Sequence, residues 1–469
     1  VRIAIFHGYE LTGSGSNEYT RYLAAALAAA GHTVFVVCRE PHPESVAELS
    51  AAIAWDADGI ATAIFGTPGQ PGEVTLHQLP HAGVRPVYVT DKQREGNVKA
   101  FTELTDAELF EVQTVASRAL AAALRAHPVD VVHANHLVLQ PTIAADACGA
   151  LDIPFVIYPH GSDIEYTIRR DPRYLVVAGT AIPAAAGIIS GSSEMIERLN
   201  ALYPQLHEYF ADRTQIVGVG VDVTLFAPVA PRDRRASIEN FAATRPGGGK
   251  SVEQREELTD RLDRGEIAAV SDYHNTYAQD VPDEDVVEQL RRVPWESGHV
   301  MLFVGALTAG KGLQSLIAAM PAIVGAVPDA HLVIVGAGTY RETLEALVHA
   351  LADGDGVLLD ALIAHGNDFE AGHLSGEWAD VAAYAADPVQ RSAMLHAGPE
   401  FAEHIHFTGR LDHSRLKLVF PCADLAVFPS LLPEAYPLVL MESLSSGVLP
   451  AASDTTGLRE GLNLLEPHL

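Results

Sequence analysis

The sequence predicts an α/β protein made of two doubly wound halves, and three observations carry the prediction. Short β-branched runs alternate with Ala- and Leu-rich amphipathic segments through the first half, a charged stretch interrupts at about 232–296, and the alternation restarts at Val300. Strands and helices in alternation build βαβ units around a parallel sheet. A chain of 469 residues also exceeds what one compact core holds, at about 100 to 200 residues per domain.

In chain order, Val1 to Phe6 reads as a strand, Asn17 to Ala30 as a helix closed by Gly31, and Thr33 to Cys38 as the next strand. Further strands are expected at Val87 to Thr90, Val129 to Ala134, Pro154 to Tyr158, Gly187 to Ser190 and Gln215 to Val219. These make one Rossmann-like domain over residues 1–228, ending at Phe226-Ala227-Pro228. The charged stretch, with its Gly247-Gly248-Gly249 triplet, reads as polar helices plus linker. The second Rossmann-like domain, within residues 229–469, has a strand at Val300 to Val304, a helix at Gly312 to Val324, a strand at His331 to Val335 and a helix at Tyr340 to Ala352. Strands follow at His404 to Thr408, Leu425 to Pro429 and Leu449 to Ala452, while residues 353–400 show little periodicity.

With 60 acidic against 31 basic side chains the net charge is -29, and no basic stripe stands out. That argues against nucleic acid or an anionic membrane as an electrostatic partner. Cys38, Cys148 and Cys422 lie far apart without a C-x-x-C, which fits neither a disulfide framework nor a zinc ribbon and points to a reduced cytoplasm. No apolar run reaches the roughly 18 to 20 residues of a membrane span, so a protein without a transmembrane segment is expected.

The most informative segment runs from Phe428 to Gly447. An apolar strand ends at Pro429, a loop carries Glu434, and Pro437 suits the first position of a helix, where its missing N–H costs nothing. Glu442 then falls on the second turn. Free N–H groups at the helix mouth suit a phosphate, and two carboxylates can accept hydrogen bonds from sugar or ribose hydroxyls.

Two glutamates in this setting resemble the donor-site signature of family 4 retaining glycosyltransferases with the GT-B fold. Other segments resemble the same family: Thr12-Gly13-Ser14-Gly15-Ser16-Asn17, His160-Gly161-Ser162-Asp163, Gly218 to Asp222, Phe303 to Gly312, and Val333 to Gly338. Their order and spacing cover nearly the whole chain. The resemblance implies two Rossmann-like domains facing across a cleft, the first taking an acceptor and the second a nucleotide-diphosphate sugar, with no metal and no cofactor. It implies that Lys311 neutralises the diphosphate, that Glu434 meets donor-sugar hydroxyls and that His160 bonds the transferred sugar near the reacting carbon. Glu442 would hold the ribose. Gly13, Ser14, Gly15 and Gly336 would let backbone approach the donor, and Tyr436, Pro437 and Leu438 would line sugar and phosphates. Two departures stand out. The family's usual Arg is replaced by Ala306, with Arg410 a candidate substitute, and the chain stops at Leu469, which reads as a truncated C-terminal tail.

Rival readings remain. Gly13-Ser14-Gly15 followed by Glu18, and Gly336-Ala337-Gly338 with Arg341, are near misses to G-x-G-x-x-G, so an NAD-dependent dehydrogenase with Arg39 or Glu40 near the ribose is one alternative. A GT-B protein that binds a sugar nucleotide without transfer is another. Thr244 to Ser251 imitates a phosphate loop but reads as linker, and Asp56-Ala57-Asp58 and Asp353-Gly354-Asp355 read as solvated loops rather than metal pairs. His133 with His136, and His404 with His406, read as structural histidines.

Overall fold

The computed structural model describes residues 1–11, 15–80, 82–88, 96–273, 276–370, 374–435 and 438–465. It divides into two compact units, Val1–Val219 and Gly220–Leu469. The division falls before 220 rather than after Pro228 because Phe226 is buried among Val286, Leu290, Trp295 and Phe420 in a core of the second unit.

The first unit contains β1 (Arg2–Phe6), β2 (Thr33–Cys38), β3 (Ala51–Trp55), β4 (Ala61–Phe65), β5 (Val74–Gln78), β6 (Arg85–Val87), β7 (Val98–Ala100), β8 (Val131–Asn135), β9 (Phe155–Tyr158), β10 (Gly187–Ser190) and β11 (Thr214–Ile216). Nine of them form one sheet in the order β11-β10-β9-β8-β1-β2-β5-β3-β4, parallel except for the β3–β4 edge pair. β1 lies between β2 and β8, so the direction of winding reverses there, and the crevice beyond the carboxyl ends of these strands is where such sheets bind ligands. β3, β4 and β5 are not expected from the sequence. The expected strand at 87–90 is instead the short β6, which pairs with β7 away from the main sheet; Val89 and Thr90 lie outside the described residues.

The second unit's sheet, β12 (His299–Val304), β13 (Ala330–Val335), β14 (Ile405–Phe407), β15 (Leu425–Phe428) and β16 (Leu449–Ala452), is parallel in the order β14-β13-β12-β15-β16. Its switch point lies at β12, flanked by β13 and β15. The charged stretch has the helices expected of it, but they pack into the unit instead of serving as a linker. Helix Arg234–Ala243 buries Ile238 and Phe241, helix Val252–Asp263 buries Leu258 and Leu262, and helix Val286–Arg292 buries Val286 and Leu290. Residues 353–400 likewise contribute three helices, Gly356–His365, Ala379–Ala385 and Pro388–Leu395, whose Leu359, Val381 and Met394 complete the other core of this unit.

Candidate functional site

At the second unit's switch point, Lys311 ends a short turn after β12 and Glu434 stands in the loop after β15. Because β12 and β15 are hydrogen-bonded neighbours, the two side chains meet, with Lys311 Nζ donating to Glu434 Oε1. Ser430 Oγ donates to the same oxygen at 2.8 Å, and Glu434 N donates to Thr456 Oγ1 at 2.9 Å. The loops themselves interlock: Leu431 N donates to Gly310 O at 2.9 Å, and Gly336 N to Gly409 O at 2.9 Å. A Cβ on Gly336 would sit 1.9 Å from Gly305 O, so only glycine lets the turns after β12 and β13 touch. Ala306 is exposed on the β12 turn, and Arg410 follows β14.

Gly312 is held even more tightly: its φ is +70°, and a Cβ there would fall 1.9 Å from Pro429 O. Gly312→Ala is therefore expected to cost about 2 kcal/mol, from left-handed strain plus the clash, and to lower the melting temperature by several degrees. A thermal melt unchanged from wild type would show that the turn is not fixed in this way.

Glu442 is buried on helix Leu438–Ser445, where Oε1 meets His413 Nε2 at 3.0 Å and Oε2 is buried without a hydrogen-bond partner among the described residues. His413 opens helix His413–Val419 behind the Asp412 cap, and its ring stands edge-on to Phe226 at 5.4 Å. Sequence reasoning misses His413, since nothing local signals a partner so far along the chain. Gly15 opens helix Gly15–Ala29 and Leu438 opens the Glu442 helix, whereas Gly13, Ser14, Tyr436 and Pro437 lie outside the described residues.

The first unit brings its own constellation to the β1 switch point. β9, β8 and β1 are successive neighbours, so the residues just past their ends, His160, His136 and His7, meet there. The His136 and His160 rings lie 4.5 Å apart and His7 stacks on His136 at 5.5 Å, with Tyr158 5.0 Å and Tyr19 5.3 Å from His160. Asn17 and Asn135 hold the two nitrogens of His7 at 2.9 and 3.2 Å, and Asn135 also takes His133 at 3.2 Å. His160 Nε2 and both ring nitrogens of His136 are buried without a hydrogen-bond partner among the described residues, so His136 is not the satisfied structural histidine expected of it.

Burial pulls His7 and His133 down to about 4 and drives His136 and His160 well below the usual histidine range, with neighbouring imidazoles adding to the effect at His7, His136 and His160. All four are neutral at pH 7. The unfolded chain takes up these protons below about 6.5 while the folded one does not, so stability falls with pH between about 6.5 and 4. Asp163, which burial pushes up to about 6, opposes this over part of the range but is outnumbered. The melting temperature should drop progressively from pH 7 to pH 5, and a flat profile would contradict a neutral buried cluster.

The rival features find other uses. Glu40 accepts from the backbone N–H groups of Leu11 and His42 at 2.9 and 3.2 Å, which ties loops together rather than offering a carboxylate to a ribose. Asp355 caps helix Gly356–His365 through Val357 N and Leu358 N, and Asp56 accepts from Asp58 N and Ile60 N, so each pair gives one carboxylate to the backbone of its own loop. Lys250 in the imitation phosphate loop is fully buried against Glu342 and Glu345.

Residues 14–209 match the family model of the glycosyl transferase 4-like domain, and residues 288–359 and 397–465 match that of the glycosyl transferases group 1. Among curated proteins no sequence matches the chain. Among solved structures it is similar to sucrose-phosphate synthase from Thermosynechococcus elongatus, at 18% identity and TM-score 0.52 over 98% of this chain and 82% of that one. It is also similar to Anabaena HepE in complex with UDP-glucose (13%, TM-score 0.50, 98% and 82%) and to a trehalose-6-phosphate protein from E. coli bound with UDP-2-fluoro glucose (11%, TM-score 0.50, 99% and 86%). At these identities the likeness speaks to the fold, which is GT-B. No helix among the described residues is long and apolar enough to cross a membrane. With both family models matched in order along two parallel-sheet units, the chain belongs to the group 1, GT4-like glycosyltransferases.

Proposed function

We propose that the chain moves a hexose from a nucleotide-diphosphate sugar to an acceptor hydroxyl with retention at the anomeric carbon and without a divalent ion, as a cytoplasmic step of glycan biosynthesis. The observation that carries this reading is the contact of Lys311 with Glu434 at the switch point of the second unit. Cleaving the glycosidic C–O bond develops negative charge on the leaving diphosphate, and a preorganised cation stabilises it. In this reading Lys311 supplies that cation, Glu434 accepts from the donor-sugar hydroxyls, and Glu442, oriented by His413, accepts from the ribose. The bare Oε2 of Glu442 supports that role. His160, with a neutral ring and a bare Nε2, serves as the hydrogen-bonding group of the first unit toward the transferred sugar. Gly15, Gly336 and Leu438 give backbone access to the donor, as Gly13, Ser14, Tyr436 and Pro437 do by resemblance. UDP-sugars are the first donors to test, because two structural neighbours are complexes with UDP-glucose and UDP-2-fluoro glucose.

The deciding experiment is a screen of UDP-, GDP- and ADP-hexoses for hydrolysis and transfer in the presence of a chelator, with the product anomer read by NMR. Consumption of one donor with retained configuration is the expected result. If no nucleotide sugar binds or is consumed, the reading fails. Ala306 in place of a second cation favours, as the alternative, a protein that binds the donor without transfer; in that case binding would be seen without turnover, and Ala306→Arg would be the variant to restore it.

A further inference from the structure

Arg39 follows β2 directly and is only 7% exposed, yet its Nε has no hydrogen-bond partner and no carboxylate pairs with its guanidinium among the described residues. A charged neighbour that acts on it is another cation, Arg85, and Arg85 is itself paired with Glu10. The Glu10 carboxylate is thus already engaged. Burial, with Arg85 close by, brings Arg39 down to about 10, which leaves it charged at neutral pH. An ionised group removed from water without a counter-charge is costly, and an apolar side chain of similar volume would serve stability better.

The side chain lines a small recess with Phe6, Gly8, Leu79, Pro86 and Gln140. A Cβ on Gly8 would fall 1.6 Å from Gln140 Nε2, so glycine is what admits the amide there, and the NH2 end of that amide is the donor an anion would meet. The recess lies past the ends of β1 and β2, one residue beyond His7, with Gln140 reaching it from the helix that follows β8. A buried cation with no carboxylate partner among the described residues, beside an amide at the carboxyl edge of a doubly wound sheet, is a place for an anion.

We propose that Arg39 and Gln140 form an anion subsite in the first unit that takes the phosphate or carboxylate of an anionic acceptor. Naming the ligand as an acceptor rests on the glycosyl-transfer reading, in which the donor diphosphate belongs to Lys311 in the other unit; the anion subsite itself does not.

The test uses the full chain and inorganic phosphate. About ten millimolar phosphate should raise the melting temperature of wild type, and of Lys311→Ala, by about 2 to 4 °C, and should leave Arg39→Met unmoved. Without phosphate, Arg39→Met should melt no lower than wild type, because it discards an uncompensated charge. Arg39→Lys, which keeps the charge but loses the fork, should show a reduced shift. A phosphate shift that persists in Arg39→Met, no shift in wild type, or an Arg39→Met chain that melts several degrees low would each overturn the subsite. Glucose 6-phosphate and glucuronate as acceptors then separate phosphate from carboxylate. If the phosphate shift depends on Arg39 but no nucleotide sugar is consumed, the transfer reading falls and the subsite stands; if uncharged sugars are glycosylated equally by wild type and Arg39→Met, and anionic ones no better, the subsite falls and transfer stands.

Discussion

Lys311→Ala should lower kcat for a nucleotide-sugar donor about 100-fold while changing KM much less. Only as the donor bond breaks does the diphosphate gain the extra negative charge that the ammonium answers, so the loss falls on the transition state, at the scale of one preorganised donor removed from an anion site. The same ammonium pairs with Glu434, which Ser430 also holds. Glu434→Gln keeps the shape and the Ser430 bond but releases Lys311 from its carboxylate, so its loss should fall on sugar recognition, with KM raised more than kcat is lowered. Because the two side chains touch, the double variant should be less impaired than the product of the single effects predicts. A Lys311→Ala enzyme with wild-type kcat would remove the cation from the mechanism. With Ala306 neutral, the position where the resemblance expects a second cation offers none.

What can be read in the sequence follows from how local each signal is. β12, β13 and β15 are apolar runs followed by Gly or Pro, so the loops that carry Lys311 and Glu434 are legible from strand ends, while the roles of the two side chains come from the family resemblance. β3, reading Ala-Ala-Ile-Ala-Trp, and β4, an exposed edge strand, carry no strong alternation and escape a reading by pattern. Arg39 stands out in sequence only as a possible ribose neighbour, because a missing counter-charge cannot be seen until the fold shows what surrounds the side chain. His413 is silent for a similar reason: its partner Glu442 arrives from a different helix. The segment at 232–296 misleads most. Its charges look solvated in sequence, but several are buried against partners far along the chain.

Lys250 measures the energetic weight of that difference. Its Nζ is fully buried, 2.7 Å from Glu342 Oε1 and 2.5 Å from Glu345 Oε2, while Tyr277 donates to Glu342 at 2.8 Å. Arg341 extends the network to Glu345 at 2.9 Å and to Asp283 at 2.7 Å. Burial alone would raise the Glu345 carboxyl, yet Lys250 and Arg341 hold it down at about 2. Lys250→Met strips two buried carboxylates of their shared counter-charge, which costs about 3 to 5 kcal/mol, whereas adding Glu342→Met removes the one that pairs with no other cation among the described residues, leaves Glu345 on Arg341, and should recover much of the loss. Denaturant midpoints of the three chains measure this directly, and a loss below about 1 kcal/mol for Lys250→Met would restore the linker reading. The network also bears on the site. Asp283 N donates to Thr408 O at 2.9 Å, beside Gly409, whose carbonyl receives Gly336 N, so the buried ions brace the turn that places Gly336. Lys250→Met should therefore weaken donor binding as well as the fold, and the double variant should restore stability and donor affinity together.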